Sequence, residues 1–318
     1  MDTASPAKRR LISTTILGIA TVTAAACADV APRPAAAPDS STPGAVSPSA
    51  PAEDPVVVAA GEIACPTTHP AYKGGEGTAT ECRQRHTANL IRDADAVLVL
   101  GNGQYPTGSI RQYEVAYGST WGQQKNVTHP TPGEHDYSTG SGEDYLRFFG
   151  VQEYYSFDIG SWHWISLNSE IPHDPDSEQL QWLEQDLAGT SQPCIGAYWS
   201  SPAFSSTAEG GDTEVLPLWE ALYAARADVV LGAEARHYER FAKLRPDGTP
   251  AGDGIRQFVV GTGGWNLQEF TTVAPNSESR GTAFGVLKLR LGADDYGWEF
   301  LIESGETFSD TGTAPCNP

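Results

Sequence analysis

The chain has 318 residues, of which 39% are hydrophobic and 19% charged, so it can bury a sizeable core in one large or two small domains. Forty acidic residues against twenty basic residues give a formal net charge of −20, which argues against non-specific binding to nucleic acid or to an anionic membrane surface. Many glycine, proline and tryptophan residues and a single methionine favour a loop-rich α/β or β protein.

The N-terminus has the layout of an export signal. Basic residues at Lys8 to Arg10 precede an apolar stretch from Leu11 to Ala26, which ends in small residues before Cys27. The stretch is short for a membrane span, so residues 1–27 are predicted to be a signal peptide. Cys27 is a candidate lipidation site, as in a bacterial lipoprotein signal, although Ala24 stands where such signals usually have Leu. Cleavage by ordinary signal peptidase is the alternative.

Residues 28–54 are predicted to form a disordered linker, because they are rich in Ala, Pro and Ser and show no apolar periodicity. The remainder, residues 55–318, is predicted to be one domain. We expect the protein to be secreted or lipid-anchored at the outer face of a bacterial cell membrane. We expect it to be a monomer that touches the membrane only through a lipid anchor.

Four further cysteines, Cys65, Cys82, Cys194 and Cys316, suggest two disulfides in an exported chain. Three pairings are possible. The local pair Cys65–Cys82 is favoured, and it leaves Cys194–Cys316 to tie the C-terminus to the core. A zinc site is a weak alternative, because the spacing of Cys and His matches no zinc motif.

Helix patterns and short buried strands alternate through the middle of the domain, with strand pairs at the centre and the end. This order predicts sheets covered by helices, with the loops at the strand ends forming one site. The predicted strands are 56–60, 96–100, 127–132, 154–158, 162–168, 194–199, 228–231, 256–260, 284–291 and 296–302, and the predicted helices are 80–93, 177–188 and 214–225.

The loops at five predicted strand ends carry polar side chains in a recognisable order. From about residue 56 to the end, this order resembles the calcineurin-like metallophosphoesterases, and more closely their purple acid phosphatase-like branch exported by bacteria. The resemblance implies a four-layer α/β/β/α sandwich, with two facing mixed sheets flanked by helices. It rests on Gly61-Glu62, Ile63-Ala64-Cys65, Gly101-Asn102, Gln104-Tyr105, Gly133-Glu134-His135-Asp136-Tyr137, Tyr198-Trp199-Ser200-Ser201-Pro202, Glu234 to Phe241 and Val259 to Gly264.

The resemblance also implies two metal ions, which bind a phosphoester and activate a water. Most of the implied ligand positions hold substitutions. Tyr105 matches the iron ligand of the purple branch, and His135 matches the phosphate-binding histidine on the leaving-group side. His135 and the following Asp136 are the candidate catalytic residues. The implied ligand positions are Glu62 (Asp in the family), Asn102 (the bridging Asp), Tyr105, Glu134 (Asn), Ser200 (His), and Glu234 and Arg236 (a His-x-His pair).

These substitutions predict that the two-metal site is lost and that no cofactor is bound. Asn102 cannot neutralise two cations, Ser200 is a poor substitute for imidazole, and Arg236 repels a metal ion. The leading prediction is therefore a binding or scaffold protein for an unidentified envelope or extracellular ligand. Arg236 is expected to pair with Glu62, Glu134 or Glu234 as an internal cation, so that its replacement by Ala destabilises the domain markedly.

The alternative is an active phosphomonoesterase or phosphodiesterase with a rebuilt, non-standard site for one or two divalent metal ions. His135 would then donate the proton. One version of this site is an oxygen-rich set for a hard cation such as Ca²⁺ or Mg²⁺. Its candidate ligands are Glu62, Glu134, Asp136, Glu234 and His237.

Overall fold

A computed structural model of the chain describes residues 53–208, 210–303, 305 and 307–318. The predicted signal peptide, the candidate lipidation site at Cys27 and almost all of the predicted linker lie outside these residues. Within the part of the chain that is described, no helix is both long enough and apolar enough to cross a membrane.

Strands dominate the domain, and its helices are mostly short. The strands are β1 (Val56–Ala60), β2 (Ala96–Leu100), β3 (Thr128–Thr131), β4 (Tyr155–Ile159), β5 (Trp162–Ser166), β6 (Cys194–Tyr198), β7 (Val229–Gly232), β8 (Tyr238–Leu244), β9 (Ile255–Val260), β10 (Ser277–Gly281), β11 (Gly285–Leu291), β12 (Asp295–Ile302) and β13 (Thr311–Pro315). The α-helices are α1 (Gln84–Ala88), α2 (Ile110–Gln112), α3 (Glu134–Tyr137), α4 (Glu143–Phe149), α5 (Glu178–Gly189) and α6 (Leu216–Ala224), with a π-helical turn at Tyr113–Tyr117 and 3₁₀ turns at Lys73–Gly75, Trp121–Val127 and Thr213–Val215.

The strands form two mixed sheets, as the resemblance implied. The six-stranded sheet has the order β13-β12-β11-β1-β2-β3, and the seven-stranded sheet has the order β10-β8-β9-β7-β6-β5-β4. In the first sheet β1, β2 and β3 are parallel neighbours. In the second sheet β5, β6, β7 and β9 are parallel neighbours. Each sheet therefore has a set of parallel strands whose carboxyl ends share one edge.

Strand β7 shows how the sequence specifies the layers. Val229 and Leu231 pack into the core between the two sheets, whereas Val230 packs into the core beneath α5 and α6. Successive side chains of a strand point to opposite faces, so a continuous apolar run is needed where both faces are buried. The domain is a four-layer α/β/β/α sandwich, in which α5 and α6 cover the seven-stranded sheet.

The prediction of a long helix over 80–93 was wrong, because only α1 is helical there. The backbone N–H groups of Cys82 and Arg83 donate to the carbonyl oxygens of Trp265 and Gly264, so they are held by another loop. Cys82 also has a φ of 64°, which an α-helix excludes. Strands β8, β10 and β13 were not predicted from the sequence.

Two disulfides are present, Cys65–Cys82 and Cys194–Cys316, with the favoured pairing. The first closes a loop beside the carboxyl end of β1. The second joins the start of β6 to the C-terminal segment, where Asn317 donates from its backbone N–H to the buried carboxylate of Asp228. Each disulfide thus fixes a segment of the chain that is not held by strand pairing.

Candidate ligand cavity at the strand ends

A cavity of about 400 Å³ lies where the carboxyl ends of the parallel strands of both sheets meet. Backbone hydrogen bonds join the loops at this edge: Gly61 N–H donates to the carbonyl of Val260, and Trp265 N–H donates to that of Glu62. Glycine is required where the loops touch, because a Cβ on Gly61 would lie 2.5 Å from the Cβ of Ala233. The cavity is lined by Glu62, Asn102, Tyr105, Pro106, Glu134, His135, Glu234, Arg236 and Trp265.

The backbone is unusual at three of the lining residues. Glu62, Asn102 and Arg236 have φ angles of 59°, 47° and 46°, in the left-handed region that non-glycine residues seldom adopt. Such conformations cost about 1–3 kcal/mol each and persist where the surrounding structure enforces them, most often at functional sites. Three of the residues that line the cavity therefore have a strained backbone, and their side chains differ from the implied metal ligands.

Glu62 is the buried centre of the cavity floor. Only 1% of its surface is exposed, and its carboxyl oxygens are hydrogen-bonded to Asn102 Nδ2 at 2.7 Å and to the hydroxyl of Tyr105. Burial raises the pKa of Glu62 to about 8, against the opposing effect of these two hydrogen bonds. The carboxyl is therefore mainly neutral at pH 7, and its burial does not require a cation.

Asn102 and Tyr105 connect the floor of the cavity to its wall. Asn102 accepts a 2.9 Å hydrogen bond from the backbone N–H of His135 while it donates to Glu62. The ring of Tyr105 lies between the rings of Trp265 and His135. Its centroid is 4.3 Å from that of the stacked Trp265 ring and 4.2 Å from that of the His135 ring. Burial and the neighbouring Glu62 raise the pKa of Tyr105, so the phenol keeps its proton.

The two residues predicted as a catalytic pair are separated in the structure. His135 lines the cavity, and its Nδ1 lies 2.7 Å from the carbonyl oxygen of Pro106. Asp136 is fully buried away from the cavity and accepts hydrogen bonds from the hydroxyl of Tyr113 and the N–H of Gly133. Burial raises the pKa of Asp136 to about 6. The prediction of a catalytic role for Asp136 is therefore replaced by a structural one, which is to hold the loop after β3.

Ser200 follows β6 and is fully buried. Among the described residues its Oγ has no hydrogen-bond partner. This hydroxyl lies 2.7 Å from the point that a Cβ on Gly133 would occupy, and Asn102 Oδ1 lies 2.6 Å from the same point. Ser200 therefore packs against Gly101 and Gly133, and it is not among the residues that line the cavity.

Arg236 does not form the predicted ion pairs. Its Nη1 donates to Asn266 Oδ1 at 2.9 Å and its Nη2 to Gln268 Oε1 at 3.3 Å. Among the described residues, no carboxylate oxygen lies within 4.0 Å of a guanidinium nitrogen of Arg236, so the side chain forms no ion pair with them. Glu234 instead accepts from Ser201 Oγ at 2.5 Å. The predicted ion pair of Arg236 with Glu62, Glu134 or Glu234 is therefore wrong, and side-chain amides hold the guanidinium instead.

The alternative hard-cation set does not converge either. His237 is fully buried, packs on Phe270 and places its Nε2 3.3 Å from Glu239 Oε2. Together with the buried Asp136, it therefore lies outside the cavity. In the described part of the chain, the groups of three whose ligand atoms converge both consist of disulfide cysteines with one more residue.

Two residues near the cavity were not predicted. Trp265 forms part of the wall directly after Gly264, and no sequence pattern marks it. Glu170 lies beyond β5, and burial raises its pKa to about 7, to which the charges of Glu234 and Glu134 also contribute. The position of Glu170 could have been predicted. The carboxyl end of β5 adjoins that of β6, so the loop after β5 reaches the sheet edge at which the cavity lies.

The cavity residues do not fit a two-metal centre. A bridging ligand must offer negative charge to both ions, but Asn102 has an amide whose nitrogen and oxygen are both hydrogen-bonded within the protein. Glu62 and Tyr105 hold each other as hydrogen-bond partners, and Ser200 and Arg236 supply no ligand suited to a transition metal. These residues therefore do not support a reaction step through metal ions.

Comparison with known proteins shows similarity to purple acid phosphatases. No protein-family profile matches the sequence. Purple acid phosphatase 21 of Arabidopsis thaliana is 31% identical over 149 residues, which are 43% of this chain and 34% of that protein. Probable purple acid phosphatase 20 of the same plant is 35% identical over 102 residues, which are 30% of this chain and 24% of that protein. The matched stretch thus spans about a third or less of these relatives.

Solved structures share the fold. A purple acid phosphatase from yellow lupin seeds superposes with a TM-score of 0.68 and 19% identity, over 82% of this chain and 53% of that one. GAP50, the anchor in the inner membrane complex of Plasmodium, has a TM-score of 0.61 and 12% identity, over 83% of this chain and 89% of that one. A dimetal phosphatase from Danio rerio has a TM-score of 0.54 and 12% identity, over 84% of this chain and 100% of that one.

Proposed function

We propose that this member of the calcineurin-like metallophosphoesterase superfamily, which is homologous to the purple acid phosphatases, is an exported binding or scaffold protein without two-metal phosphoesterase chemistry. The observation that carries the proposal is the hydrogen bonding of Glu62 to both Asn102 and Tyr105. These three side chains stand at implied ligand positions on two adjacent loops, and Glu62 is hydrogen-bonded to both of the others.

The protonation of these groups supports the proposal. A carboxyl or phenol group coordinates a metal ion through a lone pair, and strong coordination requires the loss of its proton. Burial raises the pKa of both Glu62 and Tyr105, which disfavours the deprotonated forms that a metal ion requires. Metal binding would also break the hydrogen bonds that Glu62 makes with Asn102 and Tyr105.

Arg236 adds an electrostatic argument. Its guanidinium lies near enough to Glu62 to lower the pKa of that carboxyl, and arginine brings a positive charge to this position. A divalent ion at this position would be repelled. The amide oxygens of Asn266 and Gln268 hold the guanidinium in place, so that it cannot readily move aside.

A binding role is consistent with the preserved cavity. Its volume of about 400 Å³ is within the range of small-molecule sites. GAP50 shows that a protein with this fold can serve as an anchor. The predicted signal peptide and Cys27 would place the domain outside the cell or at the outer face of the membrane, where we propose that it acts as a monomer.

Metal analysis of the purified protein, together with an assay of p-nitrophenyl phosphate turnover, tests the proposal. We expect no stoichiometric metal after incubation with iron, zinc or manganese, and no turnover above background. Stoichiometric metal with turnover would overturn the proposal and support the second candidate, an active phosphoesterase with a rebuilt site. That candidate is favoured by the retention of His135 in the cavity.

A revertant gives the matched control. It carries Glu62→Asp, Asn102→Asp, Glu134→Asn and Ser200→His, with a His-x-His pair at the positions of Ala235 and His237 or of Glu234 and Arg236. Recovery of metal binding in either version would show that the loops still hold the required geometry, and that side-chain substitution alone explains the loss. A folded revertant that binds no metal would show that the main chain has also diverged.

A further inference from the structure

A cluster of possible metal ligands lies behind the wall of the cavity. The disulfide Cys65–Cys82 closes the loop after β1, and His69 lies within this loop. The two sulfur atoms and a ring nitrogen of His69 all lie within 4.8 Å of one another. None of these three side chains lines the cavity, so the cluster is separate from the site described above.

His69 presents its Nδ1 to the disulfide. Nδ1 lies 3.3 Å from Cys82 Sγ, and it accepts a 3.2 Å hydrogen bond from the backbone N–H of Ala71. It therefore carries no proton, and the neutral ring is protonated at Nε2. Since a disulfide sulfur has no proton to donate, the approach of Nδ1 to Cys82 is not a hydrogen bond. An unprotonated imidazole nitrogen beside two cysteine sulfurs is the arrangement that a metal site requires.

Glu81 supports the same protonation of the imidazole. Its Oε2 lies 3.4 Å from His69 Nε2, the ring nitrogen that does not face the disulfide. In metal sites a carboxylate at this second nitrogen orients the ligating imidazole and raises its basicity. The ring of His69 also packs edge-on against Trp265, with ring centroids 5.3 Å apart. Both contacts hold Nδ1 towards the sulfur atoms.

The second disulfide gives a contrasting case. Cys194 and Cys316 converge with the carboxylate of Asp228 in the same way. Both oxygens of Asp228, however, accept backbone hydrogen bonds, one from Ile195 and one from Asn317. This carboxylate holds the chain together and has no free oxygen to direct at a metal ion. Nδ1 of His69 has one long hydrogen bond, which a metal ion can replace.

We infer that Cys65, Cys82 and His69 bind one Zn²⁺ ion when the disulfide is reduced. A dithiol reductant supplies two electrons and two protons, which convert the disulfide into two thiols, and the reductant becomes a disulfide. Each thiol then loses its proton as it binds the ion, and His69 Nδ1 supplies the third ligand. A set of two thiolates and one imidazole suits zinc and leaves the fourth tetrahedral position to water.

The oxidation state of this cysteine pair therefore decides whether the metal binds. Before the proposed export, thiols are kept reduced and the site is available, whereas formation of the disulfide outside the cell closes it. Both cysteines are fully buried, but 27% of the His69 side chain is exposed, so the ion enters past His69. The inference goes beyond the proposed function, because this site lies outside the cavity.

Zinc titration of the purified protein tests the inference. The protein is reduced with tris(2-carboxyethyl)phosphine, which is itself oxidised to its phosphine oxide, and bound zinc is measured by competition with a chromophoric chelator. We expect one zinc ion per reduced chain, none in the oxidised protein, and a higher melting temperature of the reduced protein when zinc is added. Reduced protein that keeps its native circular dichroism and binds no zinc would overturn the inference. A reduced chain that unfolds and stays unfolded with zinc would overturn it as well.

Paired cysteine variants locate the ion. Cys65→Ser with Cys82→Ser should abolish zinc binding after reduction. Cys194→Ser with Cys316→Ser removes the other disulfide and should retain one ion after reduction. Equal zinc binding in the two double variants would assign the ion to any free pair of thiols, and it would overturn the site.

Single variants test the imidazole. His69→Ala should weaken zinc binding by more than about tenfold, and Glu81→Ala by about tenfold. The control is His173→Ala, which should leave the affinity unchanged, because the ring of His173 bonds the backbone carbonyl of Ile171. Unchanged affinity in His69→Ala would overturn the assignment of the third ligand. Metal content and phosphoester turnover of the oxidised protein report separately on the proposed function.

Discussion

Asn102 Nδ2 donates a 2.7 Å hydrogen bond to Glu62 Oε1, and this bond joins the loops that follow two neighbouring parallel strands of the first sheet. Because Asn102 also accepts from the backbone of His135, one amide connects the loops after β1, β2 and β3. Within the family that the sequence resembles, metal ions connect these loops. In this chain a hydrogen-bond network joins them.

The titration of Glu62 predicts a pH dependence of stability. Its pKa is raised from 4.5 to about 8 on folding, so its contribution to stability is fully present below the unfolded value and is lost as the pH rises through the folded value. The side chain of the variant Glu62→Gln cannot ionise. Between about pH 5 and pH 9, the free energy of unfolding of the wild type should therefore fall by over about 1 kcal/mol more than that of the variant. Urea unfolding across this range measures the difference, and parallel curves for the two proteins would contradict a neutral Glu62.

Replacing Asn102 by Asp should destabilise the domain. The change removes the amide donor to Glu62 and buries a second carboxyl beside the first. We expect a loss of about 1–3 kcal/mol at pH 7, which becomes smaller in acid as the new carboxyl is protonated. The control is Asn126→Asp at an exposed position. If both variants unfold at the wild-type urea midpoint, the network around Glu62 contributes little.

Arg236→Ala is now expected to have a modest effect, in contrast to the sequence-based prediction, because the side chain makes hydrogen bonds to amides and no ion pair. The loss should be about 1 kcal/mol. Arg236→Gly should be the more stable of the two variants, since glycine adopts the observed φ of 46° without strain. Thermal unfolding of both variants checks this order.

Arg240→Ala provides the contrasting case. Arg240 is bonded to Asp310 at 2.8 Å and to Glu278, and it packs over Trp298. Asp310 is only 8% exposed, so removal of the cation leaves a largely buried carboxylate unpaired, at a cost of about 3–5 kcal/mol. A smaller loss for Arg240→Ala than for Arg236→Ala would mean that the two arginines have been assigned the wrong roles.

His163 gives a second pH prediction, far from the cavity. Burial lowers its pKa, but the hydrogen bonds to Asp186 and Asp158, at 2.8 and 2.7 Å, outweigh burial and the net shift is upward. The resulting stabilisation is present below the unfolded pKa of 6.5 and is lost as the pH rises through the higher folded value.

The variant His163→Gln should therefore be less stable than the wild type at about pH 6, and the gap should narrow above about pH 7. Chemical unfolding at both pH values measures the gap. The variant His173→Gln serves as a control, because the ring of His173 bonds the backbone carbonyl of Ile171. A gap that is constant with pH would show that the wild-type imidazole does not titrate in this range.

The strands that build the core were predictable from the sequence, because parallel strands buried on both faces need continuous apolar runs such as Val229 to Leu231. The strand-end loops followed from the same runs. Strands β10 and β13 were missed because they lie at sheet edges and carry polar or exposed residues. Their pairing depends on neighbours that are distant in the chain.

The identity of the cavity residues was predictable, but their bonding was not. Sequence alone placed Glu62 and Arg236 in one site, and their opposite charges suggested a pair. Whether a pair forms depends on burial, which neutralises Glu62, and on Asn266 and Gln268, which lie about thirty residues beyond Arg236. Neither effect can be obtained from local spacing.

The left-handed backbone at Glu62, Asn102 and Arg236 has a further consequence. The main chain fixes the Cα–Cβ direction at each position, so any side chain placed there starts towards the same space. Small residues that tolerate positive φ, such as Gly, Asn and Asp, can therefore replace these side chains with the least strain, whereas β-branched residues would strain the loops. A combinatorial library at these three codons would be limited in the same way, because only such residues vary the lining of the cavity with little strain on the loops.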